Sequence, residues 1–109
     1  MNTPQYLSGI QLERSLRQVD LAGADLRRAR LTAAKLEEAD LTDANLRNAD
    51  LGGADLRRAI LWDADLSGAN LASACLEGAF LTGARYDSAT VFPEGFDPAG
   101  EGMIRCDLD

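Results

Sequence analysis

The 109-residue chain has no histidine, two cysteines, three prolines, and only one Trp, two Tyr and three Phe. Lack of histidine removes the commonest general base and the commonest zinc ligand. Cys75 and Cys106 are too few for a structural zinc site, and a cysteine nucleophile would have no histidine beside it. The longest unbroken apolar run is Ala59-Ile60-Leu61-Trp62, far below the roughly 20 residues of a membrane span. The first residues carry no apolar signal-peptide core. A cytoplasmic location with reduced thiols is therefore expected, a disulfide stapling the C-terminal tail being the alternative. Positive charge is in the minority: 11 Lys+Arg face 18 Asp+Glu, a net −7. That balance argues against nucleic acid and membranes as partners. At 46 % hydrophobic residues the chain is no disordered polyanion, and its length suits one domain.

What is present in abundance is a repeat. Leu recurs every five residues at 13 successive positions from Leu21 to Leu81, and Tyr86 and Val91 continue the series. Two residues before each centre stands a small residue: Val19, then 14 Ala from Ala24 to Ala89. Such a period decides the architecture before any local propensity does. In a helix, steps of five would place successive Leu about 140° apart, scattered over every face, so a helix is rejected although Ala, Leu, Arg and Glu favour one. A flat strand fails as well, because its inward positions must alternate strictly every two residues. Here they are spaced two, then three. The two-step is a short extended segment and the third residue makes a corner, always toward the same inside. The chain must coil.

Units such as Ala24-Asp25-Leu26-Arg27-Arg28, Ala39-Asp40-Leu41-Thr42-Asp43 and Ala69-Asn70-Leu71-Ala72-Ser73 resemble the A(D/N)LXX motif of the pentapeptide repeat family. The resemblance covers residues 19–93 and implies that family's all-β fold, a right-handed quadrilateral β-helix with four units per coil. At 20 residues per coil this gives about four coils, and at ~4.8 Å per stacked strand a repeat body about 18 Å long. Residues 20 apart then stack. Leu21, Leu41, Leu61 and Leu81 share one wall, and Leu26, Leu46, Leu66 and Tyr86 the next. Leu31, Leu51, Leu71 and Val91 form a third. Leu36, Leu56 and Leu76 form the fourth, with Leu16 below them.

A solenoid needs caps. Thr3-Pro4 reads as a helix start, with Tyr6, Leu7 and Ile10 on one face, so residues 1–18 are expected to form an N-terminal cap with a short helix over roughly Pro4–Glu13. Residues 94–109 lose the repeat and are rich in turn formers. Phe92, Phe96, Met103 and Ile104 supply apolar anchors, and the tail is expected to fold back over the last coil. The stretch Phe92-Pro93-Glu94-Gly95-Phe96-Asp97-Pro98 resembles the tails of small bacterial, especially cyanobacterial, family members.

No catalytic, cofactor or metal site is read from the sequence. Asp20, Asp25, Asp40, Asp50, Asp55 and Asp65 form a lattice, whereas a catalytic pair needs one special place. Eight units carry Asp or Asn before the central residue, where a short polar side chain can bond nearby backbone at a corner. Gly52-Gly53 is not followed by the Lys-Ser or Lys-Thr of a phosphate loop. Outward charges stack favourably at Glu37, Arg57 and Glu77 and at Glu38 and Arg58, each pair worth roughly 0.2–1 kcal/mol.

The expected function is a non-catalytic scaffold that binds protein. The resemblance implies an alternative, since some family members bind DNA gyrase as mimics of duplex DNA and confer quinolone resistance. A duplex about 18 Å long would carry about 10 negative charges. The repeat region instead mixes eight basic with 12 acidic residues, a net −4, which disfavours mimicry. One outer wall departs from the polar rule. Ile60 and Phe80 occupy the position that elsewhere is usually Asp or Asn and stack one coil apart, with Trp62 on the same wall. Such a patch usually means contact: either the tail covers it with Phe96, Met103 or Ile104, or another chain does, as a partner or in a homodimer, with simple tolerated exposure as the third reading. Ile60, Trp62 and Phe80 are thus the candidate interaction patch. For the interior, Leu51→Asp is expected to abolish folding, since a buried charge without a partner is expensive; an unchanged thermal melt would show that Leu51 lies outside.

Overall fold

The computed structural model describes residues 15–107. The expected helix over Pro4–Glu13 lies outside them. Parallel pairing with an offset of 20 residues runs from Ser15↔Lys35 and Asp20↔Asp40 through to Asp65↔Arg85. Four such columns alternate along the chain, so each coil has four walls. The ladder already runs at Ser15, four residues before the first repeat counted from the Ala and Leu pattern. Besides single-residue pairings there are two named strands, β1 (Arg85–Tyr86) and β2 (Ile104–Arg105), which pair in parallel, and a single 3-10 turn at Ala99–Glu101.

The interior is as the spacing demands. Eleven leucines from Leu21 to Leu71 are fully buried and stack Leu on Leu, with the Ala set buried between them. Each buried Leu contributes about 1.5–3 kcal/mol, so these columns dominate stability. Leu16 and Leu76, near the two ends of the column they share, are only half-buried.

The five amides of one unit each have a distinct fate. In the unit centred on Leu41, Leu41 N–H donates to Ile60 C=O of the next coil at 2.7 Å and Asp43 N–H to Trp62 C=O at 2.9 Å. Asp40 N–H donates downward to Val19 C=O at 2.9 Å, and Ala39 N–H closes the preceding corner on Leu36 C=O at 3.0 Å. The fifth amide, Thr42 N–H, donates to Asp40 Oδ1 at 3.1 Å. The same side-chain bond is made by Asp20, Asp25, Asn45, Asp50, Asp55, Asp65 and Asn70. All eight acid or amide side chains of the lattice therefore satisfy backbone, because that amide points outward and no ladder reaches it.

Corners need a left-handed residue, which the repeat pattern does not announce. From Gln18 to Gly83 the second residue after every centre has φ between 58° and 78°. Nine of these are not glycine, among them Ala33, Glu38 and Arg58. A turn with its first-to-fourth hydrogen bond and a positive φ at the third residue is the type II arrangement. Non-glycine residues are held there by the ladder bonds on both flanks.

The regular register holds through Tyr86 and is lost in the next corner. Val91 is not the centre of its wall: the corner Tyr86–Thr90 contains one extra residue, so Val91 pairs with Asn70, one place early, and faces outward at 47 % exposure. Phe92 takes the inward place, packed edge-on against Tyr86 and stacked on Phe96. Ala89 is accordingly exposed, and Thr90 turns inward, donating from Oγ1 to Leu66 C=O at 2.9 Å. Asp87 holds the enlarged corner by accepting from the amides of Ala89, Thr90 and Gly68. The tail then crosses the top of the coil and lays β2 on β1, with Met103 buried.

Two substitutions test this backbone scheme. Ala33, exposed with φ 58°, should be improved by Ala33→Gly, since relief of a left-handed cost of ~1–2 kcal/mol outweighs the added chain entropy; a rise in Tm of a few degrees is expected in thermal melts. Asp40→Ala should cost about 0.5–1.5 kcal/mol, whereas Asp40→Asn keeps the acceptor for Thr42 N–H and should melt nearer the parent.

Candidate interaction patch

The patch is built by the ladder itself. Asp40, Ile60 and Phe80 form one column of parallel pairs, so Ile60 and Phe80 stand one directly above the other. Trp62 follows the centre Leu61, which puts its ring beside Phe80 one coil up. The two rings meet edge-on with centroids 5.9 Å apart at 63°, the favoured arrangement for an aromatic pair. Both remain open to solvent, Trp62 at 45 % and Phe80 at 48 % exposure. Ile60 is half-buried.

The sequence left two covers open for this patch. The tail is not the cover. Phe96 stacks on Phe92, Met103 is buried over the end of the coil and Ile104 stands 55 % exposed opposite Arg85 on the next wall. Apolar residues at 60 and 80 also forfeit local bonds. Neither can accept from the amide two residues on, Trp62 or Thr82, as Asp40 does from Thr42. The patch thus replaces two backbone caps with exposed carbon.

Around it the outer surface is a mesh of opposite charges. Arg57 forms a two-pronged bond to Asp55 at 2.7 and 2.8 Å and lies 3.7 Å from Glu37. Arg58 reaches Glu38 at 3.6 Å, and Arg47 reaches Asp65 at 3.2 Å. Arg27, stacked below Arg47, turns to Asp25 at 2.7 Å, so the two like charges diverge. The Arg57 guanidinium holds the Asp55 carboxyl below the usual carboxylate range, and Arg27 does the same for Asp25. Burial pushes Asp65 up, but the bonds from Ser67 and Arg47 outweigh it and the net shift is downward. Asp107 is lowered to about 2 by Arg105 and by the Ser88 amide. Among the described residues no three His, Cys, Asp or Glu side chains gather as a metal site. Cys75 and Cys106 are both exposed free thiols, and Cys106 Sγ lies 3.2 Å from Ser67 Oγ.

A coil of five-residue units with four walls, Leu and Ala inside, defines a β-helical solenoid. The chain belongs to the pentapeptide repeat family: the model for pentapeptide repeats matches residues 15–48 and 49–85. Members adopt a right-handed β-helix and are generally non-enzymatic scaffolds. The chain is similar to alr5209, a pentapeptide repeat protein from Nostoc Pcc 7120, with TM-score 0.73 and 40 % identity over 88 % of this chain and 80 % of that one. It is similar to Rfr23, a pentapeptide repeat protein from the cyanobacterium Cyanothece 51142, with TM-score 0.60 and 35 % identity over 75 % of this chain and 63 % of that one. HetL, involved in heterocyst differentiation regulation in Nostoc sp. Strain PCC 7120, matches with TM-score 0.51 and 33 % identity over 77 % of this chain. The chain spans 44 % of HetL. No curated protein sequence matches.

The carboxylates give a pH prediction. A carboxyl whose folded pKa is depressed stabilises the fold above its unfolded value and loses that contribution as pH falls through the folded one. Tm should therefore be flat above about pH 5 and decline from about pH 4 downward. Asp65→Asn keeps the acceptor for Ser67 N–H but not the charge facing Arg47, so its decline should be shallower in melts run across that range.

Proposed function

We propose that this chain is a non-catalytic scaffold that binds a partner protein through the wall bearing Ile60, Trp62 and Phe80. One observation carries the reading: at two stacked positions of a lattice site that eight units fill with a backbone-capping Asp or Asn and the remaining ones mostly with other polar or charged residues, the chain carries Ile and Phe, with a Trp against them. Aromatic anchors of this kind supply most of the energy of a protein interface. Three side chains are too few for a stable interface by themselves, which needs about 1,200–2,000 Å² in all, so the patch is the centre of a larger contact with the charged mesh as its rim. Duplex mimicry of the gyrase-binding kind draws no support from a surface on which Arg47, Arg57 and Arg58 stand among the carboxylates.

In this reading about four coils form the body, residues 1–18 cap its start with a short helix and residues 94–109 close its end. The scaffold works in the cytoplasm, where free thiols such as Cys75 and Cys106 are the ordinary state, without cofactor, nucleic acid or membrane. Like HetL, it serves a regulatory task.

Affinity capture from the native extract with the parent chain and with Trp62→Ala and Phe80→Asp tests the proposal. Partners retained by the parent and lost by both variants are expected, with Tm little changed. Light scattering separates the other occupant: a dimer at full length that Phe80→Asp makes monomeric would put a second copy on the patch. Partners captured equally by all three chains would remove the patch from the function.

A further inference from the structure

The second surface lies at the C-terminal end of the coil, independent of the outer-wall patch. In the lower coils the wall that includes Leu56 bonds upward through three main-chain groups. Leu56 N–H donates to Cys75 C=O at 2.8 Å, Arg58 N–H donates to Glu77 C=O at 3.0 Å, and Ala54 C=O accepts from Cys75 N–H at 2.9 Å. One coil higher, the equivalent groups are Leu76 N–H, Gly78 N–H and Ala74 C=O. Among the described residues none of the three has a partner. The tail re-covers the wall of Arg85–Tyr86 with β2, but over Leu76 it passes as irregular turns. A cleft of about 330 Å³ is left between Ala74–Gly78 and the tail segment Pro93–Glu101. Its floor is Leu76, half-buried where Leu36 and Leu56 in the same column are fully covered, and Phe96 forms a side. Glu77, Glu94 and Glu101 line it, and none of the three has an ion pair among the described residues.

We propose that this cleft takes an extended peptide segment of another protein, in the pattern basic–apolar–basic, as the missing rung of the wall. An unpaired strand edge is a template for another strand, and strand addition uses main-chain bonds for affinity and alternate side chains for specificity. The register follows from the coil below. The first residue donates its N–H to Ala74 C=O and accepts from Leu76 N–H, and the third accepts from Gly78 N–H, parallel to the wall. The middle side chain then points inward onto Leu76, and the outer two point toward the carboxylates. Three glutamates without basic partners select Lys or Arg there.

Titration of the full chain with the synthetic peptide acetyl-Gly-Lys-Leu-Lys-Gly-amide, read by amide NMR and hydrogen exchange, tests this. Saturable shifts and slowed exchange at Leu76 and Gly78 are expected. The exposed pair Glu94→Lys and Glu101→Lys, made together, should weaken binding about tenfold or more with the melt unchanged. N-methylation of the first Lys of the peptide should abolish binding, because Ala74 C=O then has no donor. The proposal is overturned if no saturable binding occurs, if a Glu-Leu-Glu peptide binds equally, or if the shifts fall on Trp62 and Phe80. It is also overturned if Leu76 and Gly78 become protected with rising protein concentration alone, which would make a second copy the occupant.

Discussion

The backbone ladder between coils is the constraint on which everything else here depends. A chain that turns every five residues exposes five amides per unit. Three are claimed by the coils above and below and one by the corner, and only the fifth is left to a side chain. That single shortfall explains the carboxylates: Asp and Asn reach their own backbone two residues on, and longer or apolar side chains do not. It explains the alanines too, since the residue after each corner shares the interior with a stacked leucine and has no room to grow. The same ladder holds nine non-glycine residues at positive φ. That conformation is unfavourable residue by residue and tolerable only where both flanks are bonded.

Most of this was legible in the sequence, for a physical reason. The side chains of the interior carry the period, so alternate steps of two and three between Ala and Leu can be read directly, and helix propensity cannot overrule a pattern that leaves no helical stripe. What was not legible belongs to the outer half of each unit. The left-handed corner residues point into solvent, where the ladder holds Arg58, Glu38 and Ala33 in place of glycine at a cost the fold can bear, so composition carries little trace of them. The enlarged corner was hidden differently. Val91 and Phe92 are both apolar, and either could serve as the centre. Only the Asp87-Ser88-Ala89-Thr90 segment held a clue, because Thr90 can fill an inward place and use its hydroxyl on Leu66 C=O.

The candidate patch was legible for the converse reason. Ile60 and Phe80 depart from a pattern that eight other units follow, and their stacking follows from the period together with the four units per coil that the family resemblance implies. Whether the tail would cover them was not, because the path of residues 93–103 depends on the extra residue in the corner at 86–90. Once Phe92 rather than Val91 turns inward, Phe96 follows it onto the same side. Met103 then joins the buried core, and β2 pairs with Arg85–Tyr86. The apolar anchors of the tail are thereby committed before they reach Trp62 and Phe80.

A solenoid with its amides so fully claimed presents two kinds of surface, and they recognise different things. Along the walls of the middle coils the ladder groups are bonded, so a partner meets side chains alone, and affinity must come from positions where the lattice residue has been exchanged, as at Ile60, Trp62 and Phe80. At the end of the coil the situation reverses. The tail restores the ladder over Arg85–Tyr86 and passes Leu76 without restoring it, so the backbone itself becomes available. A tail built of regular repeats would have closed that edge; one with Pro93, Pro98 and a 3-10 turn at Ala99–Glu101 cannot run extended there. Loss of the repeat after residue 93 therefore ends the coil and also leaves one wall of it able to accept a strand.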